Sequence, residues 1–192
     1  ADFYTPDESY HGTVYVKEGG RAAFILKARM QYMRDIGACM SPFNAYLTFR
    51  GVETLHLRMA RHSGNGLALA RALEKHPMAE WVRYPGLEND KYHDLADKYF
   101  KGGYSGMVVF GVKGGKENAV KFIENLRLFK QVTHIADSRS CVLHPASTTH
   151  RQLSDEDLVA CGITQNLVRL SCGIESEEDV VGDVVQALDS IK

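Results

Sequence analysis

The chain has little of anything that would mark an extreme class of protein. No apolar run is long enough to cross a bilayer, and its start carries no pattern of a secretory leader. Charge of one sign is not in excess: the formal net charge is -1, which gives no reason to expect nucleic acid or an anionic membrane as partner. Cysteine is sparse. The four residues Cys39, Cys141, Cys161 and Cys172 lie far apart, so neither a zinc site nor a redox dithiol is indicated. Most of them sit in apolar company and are expected to act as small buried hydrophobes in a reducing, cytoplasmic setting. A phosphate-binding glycine loop is missing as well. Gly102-Gly103 and Lys113-Gly114-Gly115 lack its fuller spacing and read as turns. What is present is ordinary: 192 residues, 44% hydrophobic and 24% charged, the composition of a soluble globular protein with room for one large domain or a domain and a half.

Along the chain, residues 1–20 hold aromatics (Phe3, Tyr4, Tyr10, Tyr15) among Pro6, Gly12, Gly19 and Gly20 without a regular period. This segment is expected to pack on something else rather than to open a domain. A helical pattern runs from Arg21 to Cys39, with Ala23, Leu26, Met30 and Met33 on one face. Ser41-Pro42 is a strong helix start. The helix it opens is expected to reach Pro77, loosened at Arg50-Gly51 and at Gly64-Asn65-Gly66. The basic residues Arg58, Arg61, His62 and Arg71 are expected on its solvated face. Strands then alternate with helices: strands at Glu80–Tyr84, Gly106–Val112, Gln131–Ile135, Cys141–Leu143 and Leu167–Cys172, helices at Lys91–Phe100 and Glu117–Leu126. Ser154 and Ser176, each followed three residues later by an acid, mark two more helix starts. The expected fold class is α/β, an open-faced sandwich from Ala79 onward of four or five strands covered by about four helices and preceded by a long helix of the kind that joins two domains.

Candidate chemistry concentrates between Ser138 and Gly173. Arg169 stands among Leu167, Val168 and Leu170, where a charge is costly to bury unless it meets an anion. Its planar fork suits a carboxylate held by two parallel hydrogen bonds, with Ser140 as a helper. Alternatively, Arg169 points outward on a half-exposed strand or pairs with a surface acid. His144 and His150 are six residues apart across Pro145, and no acid or cysteine completes a ligand set, so hydrogen-bonding roles are expected for both and no metal site is. No nucleophile–base pair is recognisable.

Several motifs occur in a familiar order: Ser41-Pro42-Phe43-Asn44-Ala45, Gly51-Val52-Glu53-Thr54-Leu55, Leu57-Arg58-Met59 with Arg61-His62, Tyr84-Pro85-Gly86-Leu87, His144-Pro145-Ala146-Ser147 with Thr149-His150, and Val168-Arg169-Leu170-Ser171 with Gly173-Ile174-Glu175. Together they resemble the carboxyl-terminal half of the Cys/Met-metabolism family of pyridoxal-phosphate enzymes. Tyr10-His11-Gly12, Phe110-Gly111-Val112-Lys113-Gly114-Gly115 and Ser147-Thr148-Thr149-His150 favour its O-acetylhomoserine sulfhydrylase branch over the cystathionine synthases and lyases, which stay as an alternative.

The resemblance implies a fold-type I, aspartate aminotransferase-like subunit, with a mostly antiparallel sheet covered by helices. Residues 1–52 would be a remnant of the large cofactor-binding domain, 53–77 a connecting helix and 78–192 the small carboxyl-terminal domain. It implies pyridoxal 5'-phosphate as cofactor and an amino-acid substrate whose α-carboxylate is held by Arg169 with Ser140 nearby. In the implied reaction acetate leaves the γ carbon and sulfide or a thiol takes its place. None of the lysines here has the setting of the family's Schiff-base lysine. The stacking aromatic, the acid for the ring nitrogen and the main phosphate loop are also missing. The chain is therefore expected to be a carboxyl-terminal part, inactive alone, partnered by an amino-terminal cofactor-binding half in a homo-oligomer, with the family usually tetrameric. A stand-alone, non-catalytic binding domain of the same fold is the rival expectation.

Overall fold

The computed structural model describes residues 2–191. The chain divides into two compact units, the first ending at Glu53 and the second beginning at Thr54.

The first unit is helical and thinly cored. Asp7 caps a 3-10 turn at Glu8–Tyr10, its carboxylate accepting from the Ser9 N–H. Helix α1 (Tyr15–Gly19) follows, then a 3-10 turn at Gly20–Ala22, α2 (Ala23–Lys27), a π turn at Ala28–Met33 and α3 (Arg34–Ile36). Gly37 closes this run at φ 71°, a left-handed position that glycine takes without a Cβ clash. The helix expected from Arg21 thus exists, but one widened turn interrupts it. Helix α4 (Pro42–Glu53) starts where Ser41-Pro42 predicts, and the Ser41 hydroxyl accepts from the Asn44 N–H at 3.2 Å. No residue of α4 is buried; Phe43, Tyr46, Leu47, Phe49 and Val52 are all more than half exposed.

The second unit begins with α5 (Leu55–Lys75). The expected loosening near Arg50-Gly51 falls instead at Thr54, and Gly64-Asn65-Gly66 stays helical. The chain leaves α5 at His76, whose extended backbone is what the following Pro77 demands. Five strands form one sheet in the order β1-β2-β5-β4-β3: β1 (Ala79–Arg83), β2 (Met107–Val112), β3 (Lys130–Gln131), β4 (Cys141–Leu143) and β5 (Leu167–Ser171). All pairs are antiparallel except β3 with β4. The strand expected at Gln131–Ile135 shrinks to the two residues of β3, one position earlier. Helices α6 (His93–Tyr99), α7 (Gly115–Glu124), α8 (Asp155–Ala160) and α9 (Glu177–Asp189) complete the unit.

Period-two alternation splits the sheet into two faces. Val108, Phe110, Val112, Val142, Val168 and Leu170 turn to one side and meet Leu69, Leu73, Phe122, Val184 and Leu188 of α5, α7 and α9 in one core. The Phe110 and Phe122 rings pack edge-to-face at 5.4 Å, an arrangement that adds to their area burial. Burying an aromatic of this size contributes about 2–3 kcal/mol. The opposite face carries Arg83, Val109, Arg169 and Leu143 at one level of the register. The single tryptophan, Trp81, lies against Gly111; a Cβ there would come within 2.3 Å of its Nε1.

Both serine caps form as expected: Ser154 accepts from the Asp157 N–H and Ser176 from the Asp179 N–H. Two of the four cysteines correct the expectation that most are buried. Cys141 and Cys172 are interior, but Cys39 and Cys161 are exposed. Burial pushes the Cys172 thiol up to about 12, which leaves it inert as a nucleophile. Among the described residues no helix is long and apolar enough to cross a membrane.

Candidate functional site: the Arg169 wall

Arg169 occupies the middle of β5, the central strand, with Val109 of β2 on one side and Leu143 of β4 on the other. Its strand neighbours are buried while it is half-buried, so the guanidinium leaves the sheet on the face away from the helical core. There Nη2 donates to the Thr133 carbonyl at 3.0 Å. No carboxylate among the described residues lies within ion-pair distance of it. The surface-acid alternative is therefore not realised among the described residues. A guanidinium has five N–H donors, and most of this fork stays available to an anion.

Ser140 sits differently. It is fully buried, with its N–H donating to Glu175 Oε1 at 2.7 Å and its hydroxyl to Glu175 Oε2 at 2.9 Å. The same hydroxyl accepts from the Gly173 N–H at 2.9 Å. Its proton is thus committed to Glu175, and the residue is wholly buried. Its role in this geometry is to hold the segment that follows β5.

That segment is fastened from several directions. His62 Nδ1 lies 2.6 Å from the Cys172 carbonyl, and Asn65 donates to the carbonyls of both Gly173 and Glu175 at 3.0 Å. Ile174 N–H reaches the Ser138 carbonyl, and Ala136 N–H reaches the Ser171 hydroxyl. Gly173 admits no side chain: a Cβ would come within 2.2 Å of Glu175 Oε2 and 2.4 Å of the Ser138 carbonyl oxygen. His62, expected on a solvated helix face, is in fact buried. The basic pattern on α5 masked it: His62 and Asn65, three positions apart, share the buried side of the helix with Leu69 and Leu73.

The loop before β4 carries a second local pair. Arg139 hydrogen-bonds to Asp137, and this holds the Asp137 carboxyl at about 2, well below the usual carboxylate range. His144 is buried, with Nδ1 at 2.8 Å from the Ser147 hydroxyl and Nε2 at 2.9 Å from the Gln165 carbonyl. His150 Nδ1 lies 2.9 Å from the Thr149 hydroxyl. Both histidines have the hydrogen-bonding roles expected of them.

The sequence is matched by the family model described as Cys/Met metabolism PLP-dependent enzyme over residues 10–189. The chain belongs to this family. Among curated relatives, the O-acetyl-L-homoserine sulfhydrylase of Leptospira meyeri is 48% identical, over 99% of this chain and 45% of its own length. The homocysteine synthase of Schizosaccharomyces pombe is 43% identical, over 98% of this chain and 44% of its own. A solved Campylobacter jejuni structure, described as an O-acetylhomoserine (thiol)-lyase with N'-pyridoxyl-lysine-5'-monophosphate, superposes with a TM-score of 0.85 at 38% identity, covering 98% of this chain and 44% of that one. The chain thus spans a little under half the length of the relatives it matches. Its α/β architecture is that of part of a fold-type I subunit.

Pyridoxal phosphate is the family's cofactor, and the described residues do not by themselves make a cradle for it. Lys27 is the one buried lysine among them. Its ammonium is held by the Asp7 carboxylate and the Asp2 carbonyl, both at 3.3 Å, among the rings of Phe3, Tyr15 and Tyr32. The hollow beside it is lined by Asp2, Asp7 and Glu8, and such a wall repels a phosphate.

Proposed function

We propose that this chain supplies the substrate-carboxylate wall, the carboxyl-terminal half, of a pyridoxal-phosphate-dependent O-acetylhomoserine sulfhydrylase. The enzyme replaces acetate on the γ carbon by sulfide or a thiol and gives homocysteine or methionine. The observation that carries this reading is Arg169: a half-buried guanidinium on the central strand, with one bond to a backbone carbonyl and the rest of its fork open. The similarity to sulfhydrylases and homocysteine synthases supplies the substrate class.

In this reading Arg169 takes the α-carboxylate and thereby orients the amino acid's reacting bonds, an effect of position rather than of bond chemistry. Ser140 acts through Gly173 and Glu175 as a positioning residue. The electron sink is the cofactor's, held by an amino-terminal half, so the chain alone is inactive. Residues 1–52 belong with the large domain, 53–77 connect, and 78–192 form the small one. The working assembly is a cytoplasmic homo-oligomer.

The test is Arg169→Ala in a complete subunit that includes the cofactor-bearing half. Losing a charge-assisted, two-pronged carboxylate contact costs about 2–4 kcal/mol, so KM for O-acetylhomoserine should rise by roughly 30-fold or more. A KM that stays at the wild-type value refutes the clamp.

A further inference from the structure

Arg169 is tied to a loop that lies along its own strand. The Thr133 carbonyl accepts from Arg169 Nη2 at 3.0 Å. Ala136 N–H donates to the Ser171 hydroxyl at 3.1 Å, and the Ser138 carbonyl accepts from Ile174 N–H at 3.0 Å. Thr133, Ala136 and Ser138 thus meet Arg169, Ser171 and Ile174 in ascending order, so the loop runs parallel to β5 and past its end. Arg169 and Ser171 are two apart on β5 and share the sheet face away from the helical core. Ser171 is buried. Ala136, which it holds, has φ at 57°, a left-handed backbone that alanine keeps only where its surroundings fix it. Beyond it, Asp137 accepts from the backbone and the guanidinium of Arg139, which closes the loop toward β4.

We propose that Ser171 is a positioning residue for Arg169, setting the direction of the guanidinium fork through the loop from Thr133 to Ala136. The proposal rests on the Arg169 clamp and adds what aims it. An unheld arginine side chain samples many rotamers, and ordering it at the moment of binding is costly. The Thr133 carbonyl removes part of that freedom before a substrate arrives. A carbonyl can do so only while its own loop is fixed. Here the loop is anchored by β3 on one side of Thr133 and by the Ser171 hydroxyl on the other. Without that hydroxyl the strained turn at Ala136 relaxes, and the Thr133 carbonyl is free to turn away from Nη2.

A double-mutant cycle in a complete subunit that includes the cofactor-bearing half tests this. Ser171→Ala should raise KM for O-acetylhomoserine roughly five-fold, as loss of one hydrogen bond does. Its kcat should stay within about two-fold of wild type. Calorimetric titration with L-norleucine, which offers the α-carboxylate without an acetate to lose, should show Kd rising by the same factor as KM. In an Arg169→Ala background the Ser171→Ala effect should vanish on both readouts, because the loop then has no fork to aim. If Arg169→Ala raises KM and Ser171→Ala leaves it unchanged, the positioning role is refuted and the clamp stands. An equal Ser171→Ala effect in both backgrounds also refutes it, since Ser171 then acts on the fold at large. If Arg169→Ala leaves KM at the wild-type value, the clamp falls and the positioning role with it.

Discussion

At His144 the two ring nitrogens have partners of different kinds, and that sets the charge of the ring. The Gln165 carbonyl can only accept, so Nε2 carries the proton; Nδ1 then accepts from the Ser147 hydroxyl. The ring is neutral, and burial holds its pKa below the usual histidine value. The unfolded chain, with His144 near 6.5, binds the proton more readily than the folded one. Its contribution to stability is therefore complete above about pH 6.5 and is lost as pH falls from there toward the lower folded value. Thermal unfolding followed from pH 7.5 down to 5.5 should show a falling Tm, and His144→Asn should flatten the slope whatever its effect on the Tm at pH 7.5. A slope unchanged in the variant assigns the acid sensitivity to other groups. The role of His144 was readable beforehand, because the proline turn between His144 and His150 left no metal-ligand geometry. Ser140 was not, since a serine at the mouth of a strand looks alike whether it faces a ligand or, as here, Glu175 and Gly173.

The elements divide by how local their causes are. Serine caps, the Pro77 stop and the apolar run of β2 depend on neighbours within four residues, and each appears where the pattern places it. The π turn at Ala28–Met33 and the shortening of β3 to two residues have no signature of that range. The turn before β3 is fixed from equally far away: Asp183 of α9, more than fifty residues on, accepts from the backbone N–H groups of Arg127, Leu128 and Phe129 at 2.9–3.1 Å. One buried carboxylate thus satisfies three donors of the turn that delivers β3 to the sheet edge. In the α9 sequence it looks like another acid on a solvated face. Asp183→Asn keeps the shape but removes the charge and turns a donor toward donors, which should lower stability by about 2–3 kcal/mol in urea unfolding. A loss below about 0.5 kcal/mol would mean that water or Gln186, already bonded to Asp183, takes over those N–H groups.

Across the whole molecule, burial is shared unequally. In the first unit Tyr15, Ala23 and Lys27 are the buried residues among those described, while large apolar side chains such as Phe24, Ile36, Phe43 and Phe49 are well exposed. The second unit has a continuous core from Leu69 to Leu188. Apolar faces of that extent mark surfaces that another polypeptide covers, which accords with the proposed cofactor-bearing half and with the aromatic start expected to pack on something else. It also sets an order of local opening, because segments with few buried contacts open at low free-energy cost. Limited trypsin digestion of the chain should therefore cut first within residues 17–50, where Lys17, Arg21, Arg29, Arg34 and Arg50 are available. The product that accumulates should begin just after Arg50, the last of these sites before the second unit, as read by mass spectrometry. Cleavage at Lys121 or Arg127 at the same rate would show that the core around Phe122 opens as readily as α4 and would sink the unequal-burial account. Early cuts confined to the first unit would mean that the sheet bearing Arg169 persists as a folded body, which is the condition the proposed clamp needs to present its fork in a fixed direction.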